Sequence, residues 1–402
     1  MKIVKYGLDF QLIKYPVSKY GRSSHQTFFG YYDITPINKN STILLANQTG
    51  SSNKPPTKNS NLLIGYYILG KPGHFNKVAE TTTWCWQQGC RLQWYPMDSQ
   101  GENNLIIYNS LVDGQYGCCI QNIRTQKKIC QYPRPIYALS RDGSSALSLN
   151  FSRLGRLRPG YGYVNIPDET YGQKAPEEDG IWLMDMKSQE TCLLFSILDM
   201  TQFYPLETMK GAEHYFNHIS VGPDSNRFFF YHIWVNKTKR YTRLISSNMD
   251  GSDPYLLVDG GHVSHYAWKS NNEILCFSID TDTDMKYHLY QDKSLNRRIF
   301  SKQLPCIDGH PSFSPCDQFL ITDTYPDTYG FRKLLRLDIN HDKLLEIGAF
   351  HDPWRYKGEV RCDLHPRWSP DGNYVCIDSA MEGYRSLYVI DLKSKSIKRN
   401  EI

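Results

Sequence analysis

The stretch His365-Pro366-Arg367-Trp368-Ser369-Pro370-Asp371-Gly372, followed by Tyr374-Val375-Cys376-Ile377, decides the fold. An aromatic run enters a Ser-Pro-Asp-Gly turn and leaves as a second β-rich run, the pattern of two antiparallel strands joined tightly. Three more copies also begin with histidine: His310-Pro311-Ser312-Phe313-Ser314-Pro315, His265-Tyr266-Ala267-Trp268 and His218-Ile219-Ser220-Val221-Gly222-Pro223-Asp224. Another three lack it: Tyr31-Tyr32-Asp33-Ile34-Thr35-Pro36, Arg91-Leu92-Gln93-Trp94-Tyr95-Pro96 and Ile136-Tyr137-Ala138-Leu139-Ser140-Arg141-Asp142-Gly143. The spacings between starts are 60, 45, 82, 47, 45 and 55 residues. Short strands and turns at such periods mark a propeller.

The expected fold is therefore all-β, a seven-bladed β-propeller of four-stranded antiparallel blades around a central channel. Blades cannot bury their faces singly, so residues 1–402 are expected to form one domain. The long interval after Ile136 implies a loop insertion around 151–179. In the last repeat, Ser386 to Leu392 supplies a third strand and the polar run from Lys393 to Ile402 a fourth. Helix should be scarce, with one short segment near Met200 to Ala212.

Composition narrows the function classes. A net charge of +5 over 402 residues is too small to argue for nucleic acid, and it fits an acidic ligand. The start Met1-Lys2-Ile3-Val4-Lys5-Tyr6-Gly7 has charge without the apolar core of a secretory signal, and no segment has the length and apolarity of a membrane span. The expectation is a cytoplasmic monomer, secreted only if another route exports it. Eleven cysteines, an odd number mostly inside strand-like runs, read as buried thiols.

Closure of the ring would bring residues at one phase of the repeat to one mouth of the channel. His265, His310 and His365 lie on consecutive blades, and Cys362 stands in Cys362-Asp363-Leu364-His365, the connector entering the last. Three imidazoles and a thiolate suit a divalent metal ion, zinc or another transition metal, since neutral imidazole and thiolate are the usual donors to such ions. Any one of these histidines alone would be read as structural; four in phase point to a metal or catalytic role. The insertion Arg153-Leu154-Gly155-Arg156-Leu157-Arg158-Pro159-Gly160-Tyr161-Gly162-Tyr163 is basic, aromatic and glycine-rich, as a ligand-binding loop or a cover over one end of the channel would be.

The tracts Phe28-Phe29-Gly30-Tyr31-Tyr32-Asp33, Gln87-Gln88-Gly89-Cys90, Arg158 to Tyr163, Asp308-Gly309-His310-Pro311 and Arg361 to Trp368 together resemble the seven-bladed propeller polysaccharide lyases of the ulvan lyase type, and more distantly the oligogalacturonate lyases. The resemblance implies β-elimination in a uronate-containing glycan. That chemistry needs a cation for the carboxylate, a base for the adjacent proton and an acid for the leaving oxygen. It implies Tyr137 and Arg153 as catalytic residues, with His218 or His25 standing in for the histidine that the Gln87-Gln88 blade lacks. It further implies substrate contacts from His25, Tyr31, Gln88, Arg91, Arg158, Tyr161 and Arg367. An acidic polysaccharide or oligosaccharide is then the expected partner. The competing reading is a non-catalytic glycan-binding or scaffold propeller associated with polysaccharide biosynthesis. Hydrolysis by Asp323 and Asp327 is disfavoured, because Pro326 marks a turn and no partner acid stands out.

Overall fold

The computed structural model describes residues 13–97, 104–259, 261–279 and 285–394. Seven four-stranded antiparallel sheets make a seven-bladed propeller. Blade 1 holds His25–Phe28, Ile43–Gly50, Leu62–Ile68 and Asn76–Thr81, and blade 4 holds Glu213–Val221, Arg227–Asn236, Lys239–Asn248 and Tyr255–Val258. Blade 6 holds Ser312–Phe313, Phe319–Asp323, Phe331–Asp338 and Lys343–His351.

The turn chemistry explains the repeat. In blade 7 the Ser369 hydroxyl accepts the Tyr374 N–H at 2.9 Å, the Asp371 carboxylate accepts from Asn373 N–H, and Gly372 supplies φ of 70°. In blade 3, Ser140 accepts from Ser145 N–H and Asp142 from Ser144 N–H. In blade 6 the left-handed position falls to Asp317, with φ of 56°. The hairpins keep their shape through serine and aspartate side chains even where glycine is missing.

Both faces of a blade pack on neighbours, so its second strand reads as an unbroken apolar run instead of an alternating one. Phe228, Phe229 and Phe230 are all fully buried, as are Leu44, Leu45 and Ala46. Each large side chain so buried contributes about 1.5–3 kcal/mol. Between blades, tryptophans at a common phase act as staples. The indole N–H of Trp94 donates to Pro36 O, that of Trp368 to Ser312 O and that of Trp268 to Ser220 O.

Two expectations are corrected. The fourth strand of blade 7 is Val17–Tyr20, which pairs with Ser386–Asp391, Val17 opposite Ile390. Tyr20 is buried there and its hydroxyl accepts from Gly70 N–H, whereas the run from Lys393 has almost no apolar side chain to bury; residues 395–402 lie outside those described. Second, the insertion carries a helix, α1 (Phe151–Leu157), besides α2 (Ile197–Gln202). Asn150 caps α1 by accepting the Arg153 N–H, and Phe151 and Leu154 face the core.

Candidate functional site

The first residues of the repeats are Tyr31, Arg91, Ile136, His218, His265, His310 and His365, and ring closure gathers them at one layer of the channel. Ring centroids are 4.0 Å apart for His265 and His310 and 4.4 Å for His310 and His365. Tyr31 stands among all four histidines, 5.2 Å from His218, 5.1 Å from His365, 6.4 Å from His265 and 6.2 Å from His310. Every one of these side chains is buried.

Three of the imidazoles are anchored in the same sense. Nδ1 of His265 pairs with Asp308 at 2.9 Å, Nδ1 of His310 with Asp323 at 2.8 Å, and Nδ1 of His365 with the Gly30 carbonyl at 2.8 Å. Each partner is an acceptor, so Nδ1 carries the proton and Nε2 keeps its lone pair. The Nε2 atoms of His310 and His365, and Nδ1 of His218, are buried without a partner, as is the Tyr31 hydroxyl. Burial lowers the pKa of His265 against the upward pull of Asp308, and lowers those of His218 and His365 well below the usual value. Burial raises the Asp308 carboxyl, but His265 and the Ser264 hydroxyl outweigh it and leave the pKa lowered.

The backbone pays for this gathering. Arg91, His218 and His365 adopt φ of 53°, 54° and 46°, left-handed values that non-glycine residues take at some cost. Gly309 lets two chains meet, since a Cβ there would lie 1.9 Å from the Asp323 carbonyl oxygen. Asp323 accepts from the backbone N–H and Nδ1 of His310 and from the N–H groups of Leu364 and His365, so one carboxylate sets two blades.

Beneath the histidines lies a floor. Tyr32 crosses the channel, its hydroxyl donating to Tyr266 O and accepting Tyr266 N–H, both at 2.8 Å. Arg91 forms a two-pronged pair with Asp33 and lies 4.5 Å over the Tyr137 ring. Below this floor a cavity of about 420 Å³ runs toward the turn end, lined by Tyr32, Asp33, Arg91, Trp94 and Trp268. Above, the insertion supplies a roof: Tyr161 meets Tyr31 and His218 edge-on, with Arg158 4.1 Å over its ring and Arg361 donating to its hydroxyl. Arg158, Arg361 and Tyr325 are the part of the cluster that still meets solvent.

His310, Asp363 and His365 offer ligand atoms within 4.8 Å of one another, a donor set of two imidazoles and a carboxylate that suits a divalent metal ion. Their fit is supported by the orphaned Nε2 atoms of both histidines. Burial raises the Asp363 carboxyl, but Arg361 and Arg332, at 2.7 and 2.9 Å, hold it well below the usual carboxylate range. Cys362, expected as a donor, is not in this set. It packs with Tyr356 and Ala380, and burial pushes its thiol up to about 12, which disfavours the thiolate a metal would need. His265 adjoins the set through His310 but completes no such triad.

The other expected residues divide. Tyr31, Arg91, His218, Arg158 and Tyr161 come together at the cluster. Tyr137 and Gln88 join it through a closed network: Gln88 and His218 N–H donate to the Tyr137 hydroxyl, which donates to Asn217 Oδ1. Arg153 is brought elsewhere. Its guanidinium donates to the His214, Gln173 and Lys174 carbonyls and to Thr170, tying the insertion to blade 4. Arg367 pairs with Asp378 at 2.6 Å and donates to the Tyr31 carbonyl, a structural position. His25 opens the first strand of blade 1, bonded to Ser24 and opposite Gly50. The carboxylates behind the histidines are not among the expected site residues: Asp308 and Asp363 have no assigned role in the sequence, and Asp323 enters only as a disfavoured hydrolytic acid. Two of them had a signal, an aspartate two residues ahead of a repeat histidine in Asp308-Gly309-His310 and Asp363-Leu364-His365.

No family model matches the chain, and no curated protein does. Solved structures do. An oligogalacturonate lyase in complex with manganese superposes with a TM-score of 0.68 at 13% identity over 94% of each chain. The oligogalacturonate lyase from Vibrio parahaemolyticus gives 0.63 at 11% identity over 94% of this chain and 97% of that one. The tricorn protease gives 0.53 at 12% identity over 96% of this chain and 35% of its own. These matches bear on the more distant of the two resemblances and leave the ulvan lyase type without support. Among the described residues, no helix is long and apolar enough to cross a membrane. At such low identity the likeness is one of architecture, and it makes this chain a seven-bladed propeller similar in fold to oligogalacturonate lyases.

Proposed function

We propose that the protein is a lyase that cleaves an acidic, uronate-containing oligosaccharide by β-elimination in the histidine layer beneath Tyr161. The observation that carries the reading is the shared tautomer of His265, His310 and His365, each with Nδ1 bonded to an acceptor, which reserves Nε2 for a ligand. The fold of two oligogalacturonate lyases, one in complex with manganese, supports it.

His310, His365 and Asp363 would hold a divalent metal ion, which when bound neutralises a substrate carboxylate and the enolate that develops from it. Zinc, the expectation from three imidazoles and a thiolate, loses its sulfur ligand with Cys362 turned away. Arg158, stacked on Tyr161 and without a carboxylate partner among the described residues, would meet the same carboxylate. His265, oriented by Asp308, takes the proton from the carbon bearing that carboxylate, as a neutral base should. The electron pair forms the carbon–carbon double bond as the bond to the leaving oxygen breaks. Burial raises the Tyr31 pKa well above its usual value, so its hydroxyl keeps a proton to give to that oxygen, and the His265 imidazolium returns one to it.

One observation favours a non-catalytic glycan-binding role, namely the roof of Tyr161, Arg158 and Arg361 over a buried cluster. Incubation with oligogalacturonates and a panel of uronate polysaccharides separates the two. Growth of the unsaturated-uronate absorbance, abolished in a His265→Gln variant and by chelator, is the expected result. Glycan binding with no absorbance from any substrate leaves only the binding role.

A further inference from the structure

The loop Pro353-Trp354-Arg355-Tyr356-Lys357 leads from the last strand of blade 6 toward Asp363 and His365, on the same face of the ring as the histidine cluster. Trp354 is 80% exposed, and Tyr329 on the neighbouring loop is 82% exposed. Their loops are joined by the Asp352 N–H, which donates to the Gly330 carbonyl at 2.7 Å. An apolar ring left in water on a loose tip would mean little. This loop is held at both ends. Tyr356 is buried, its hydroxyl donating to Gln26 and to the Gly383 carbonyl, and Asn53 donates to the Arg355 carbonyl. Asp352 is clamped by Arg332 at 2.9 Å, and the same guanidinium reaches Asp363 at 2.9 Å, so the loop is braced directly against the candidate metal set.

The surroundings are basic. Arg355 and Lys357 are exposed, and the facing loop of blade 1 adds exposed Lys54 and Lys58. The backbone of those two lysines is fixed as well, Lys54 O accepting from the Trp86 indole and Lys58 O from Asn165. None of the four cations has a carboxylate partner among the described residues. An open indole beside unpaired cations, on anchored backbone, fits a ligand with a flat apolar face and repeated negative charge, which an acidic sugar chain presents at each ring.

We propose that Trp354, with Arg355, Lys357, Lys54 and Lys58, forms an outer subsite that holds an acidic glycan chain as it runs outward from the histidine cluster over blades 7 and 1. The proposal rests on the acidic-glycan reading of that cluster and adds that the preferred substrate is longer than the cluster itself can hold.

The test compares the wild type with Trp354→Ala and Lys357→Glu, both at exposed positions outside the candidate catalytic machinery. Binding of polygalacturonate, alginate and chondroitin is measured by calorimetry, and cleavage of polygalacturonate and trigalacturonate by absorbance. Trp354→Ala should weaken binding of at least one long chain about tenfold and raise its KM similarly, with kcat and trigalacturonate cleavage kept within about twofold. Lys357→Glu should weaken the same binding, and added salt should narrow its difference from wild type. Equal binding by wild type and Trp354→Ala, or no binding of any polysaccharide by wild type, overturns the subsite. Equal Trp354-dependent binding of duplex DNA or anionic vesicles overturns its assignment to glycan. Trp354-dependent glycan binding without any cleavage by wild type leaves the subsite standing and removes the lyase reading.

Discussion

A neutral imidazole can act as a base only at the nitrogen its neighbours leave free, so the carboxylates behind the histidines matter as much as the rings. Asp308→Asn keeps the shape of the His265 pair but offers its amide N–H to Nδ1, favouring the wrong tautomer. We expect kcat to fall about 100-fold with little change in melting temperature, read by absorbance kinetics and circular dichroism. Arg153→Lys separates a structural from a catalytic role for a residue that the family resemblance implies is catalytic. Because its guanidinium bonds three carbonyls and Thr170, the substitution should cost about 3 kcal/mol of stability, seen as a lower urea midpoint, with kcat per folded molecule unchanged. His214 and His232 form a buried relay in which Arg243 donates to His232, His232 to His214, and His214 to the Met209 carbonyl. Burial lowers the His214 pKa to about 4. The unfolded chain takes up that proton first as pH falls below about 6.5, so the contribution of His214 to stability is complete above that value and declines by about 1.4 kcal/mol per pH unit until about 4, adding to the like contributions of the other buried histidines. Urea titrations should show this slope reduced in His214→Gln. At this scale the sequence disclosed the histidines through their phase, but not their partners. Asp323 lies 13 residues from His310 and 42 from His365; the hairpin of blade 6 makes it a neighbour of the first, and the packing of blade 6 on blade 7 a neighbour of the second.

Strands and turns were more legible. The Ser-Pro-Asp-Gly grammar marks the hairpins because serine and aspartate side chains themselves build the turn, as at Ser369 and Asp371. The tryptophans three residues past the repeat start were visible too, but their indole bonds to the neighbouring blade were not, since those partners are backbone carbonyls. Trp368→Phe removes one such bond while keeping an aromatic ring, and should lower stability by about 1 kcal/mol in thermal or urea denaturation. Helix α1 went unread because Gly155 interrupts it. Its apolar positions Phe151, Leu154 and Leu157 and its Asn150 cap carry the missed signal. Gly155 stands there because a Cβ would lie 2.6 Å from the Tyr163 carbonyl oxygen, where the insertion folds back to form the roof.

For the molecule as a whole, repeat spacing was enough to count seven blades, and closure then determined which residues meet. What spacing could not reveal was the fastening: Val17–Tyr20 completes blade 7, and Thr35 donates to the Trp368 carbonyl across the same seam. A chain lacking residues up to Tyr20 would expose Ser386–Asp391 as a free edge. It should elute from size exclusion as higher oligomers and lose the sharp thermal transition of the intact chain. The fastening also orders events during synthesis. Val17 leaves the ribosome 373 residues before its partner Ile390, about 20–75 s earlier at ordinary elongation rates. Throughout that delay the opening strand must wait unpaired, and six sectors can assemble while the circle stays unlocked. Closure therefore cannot precede the emergence of Ile390, and its yield depends on how well that waiting segment is shielded from other nascent chains.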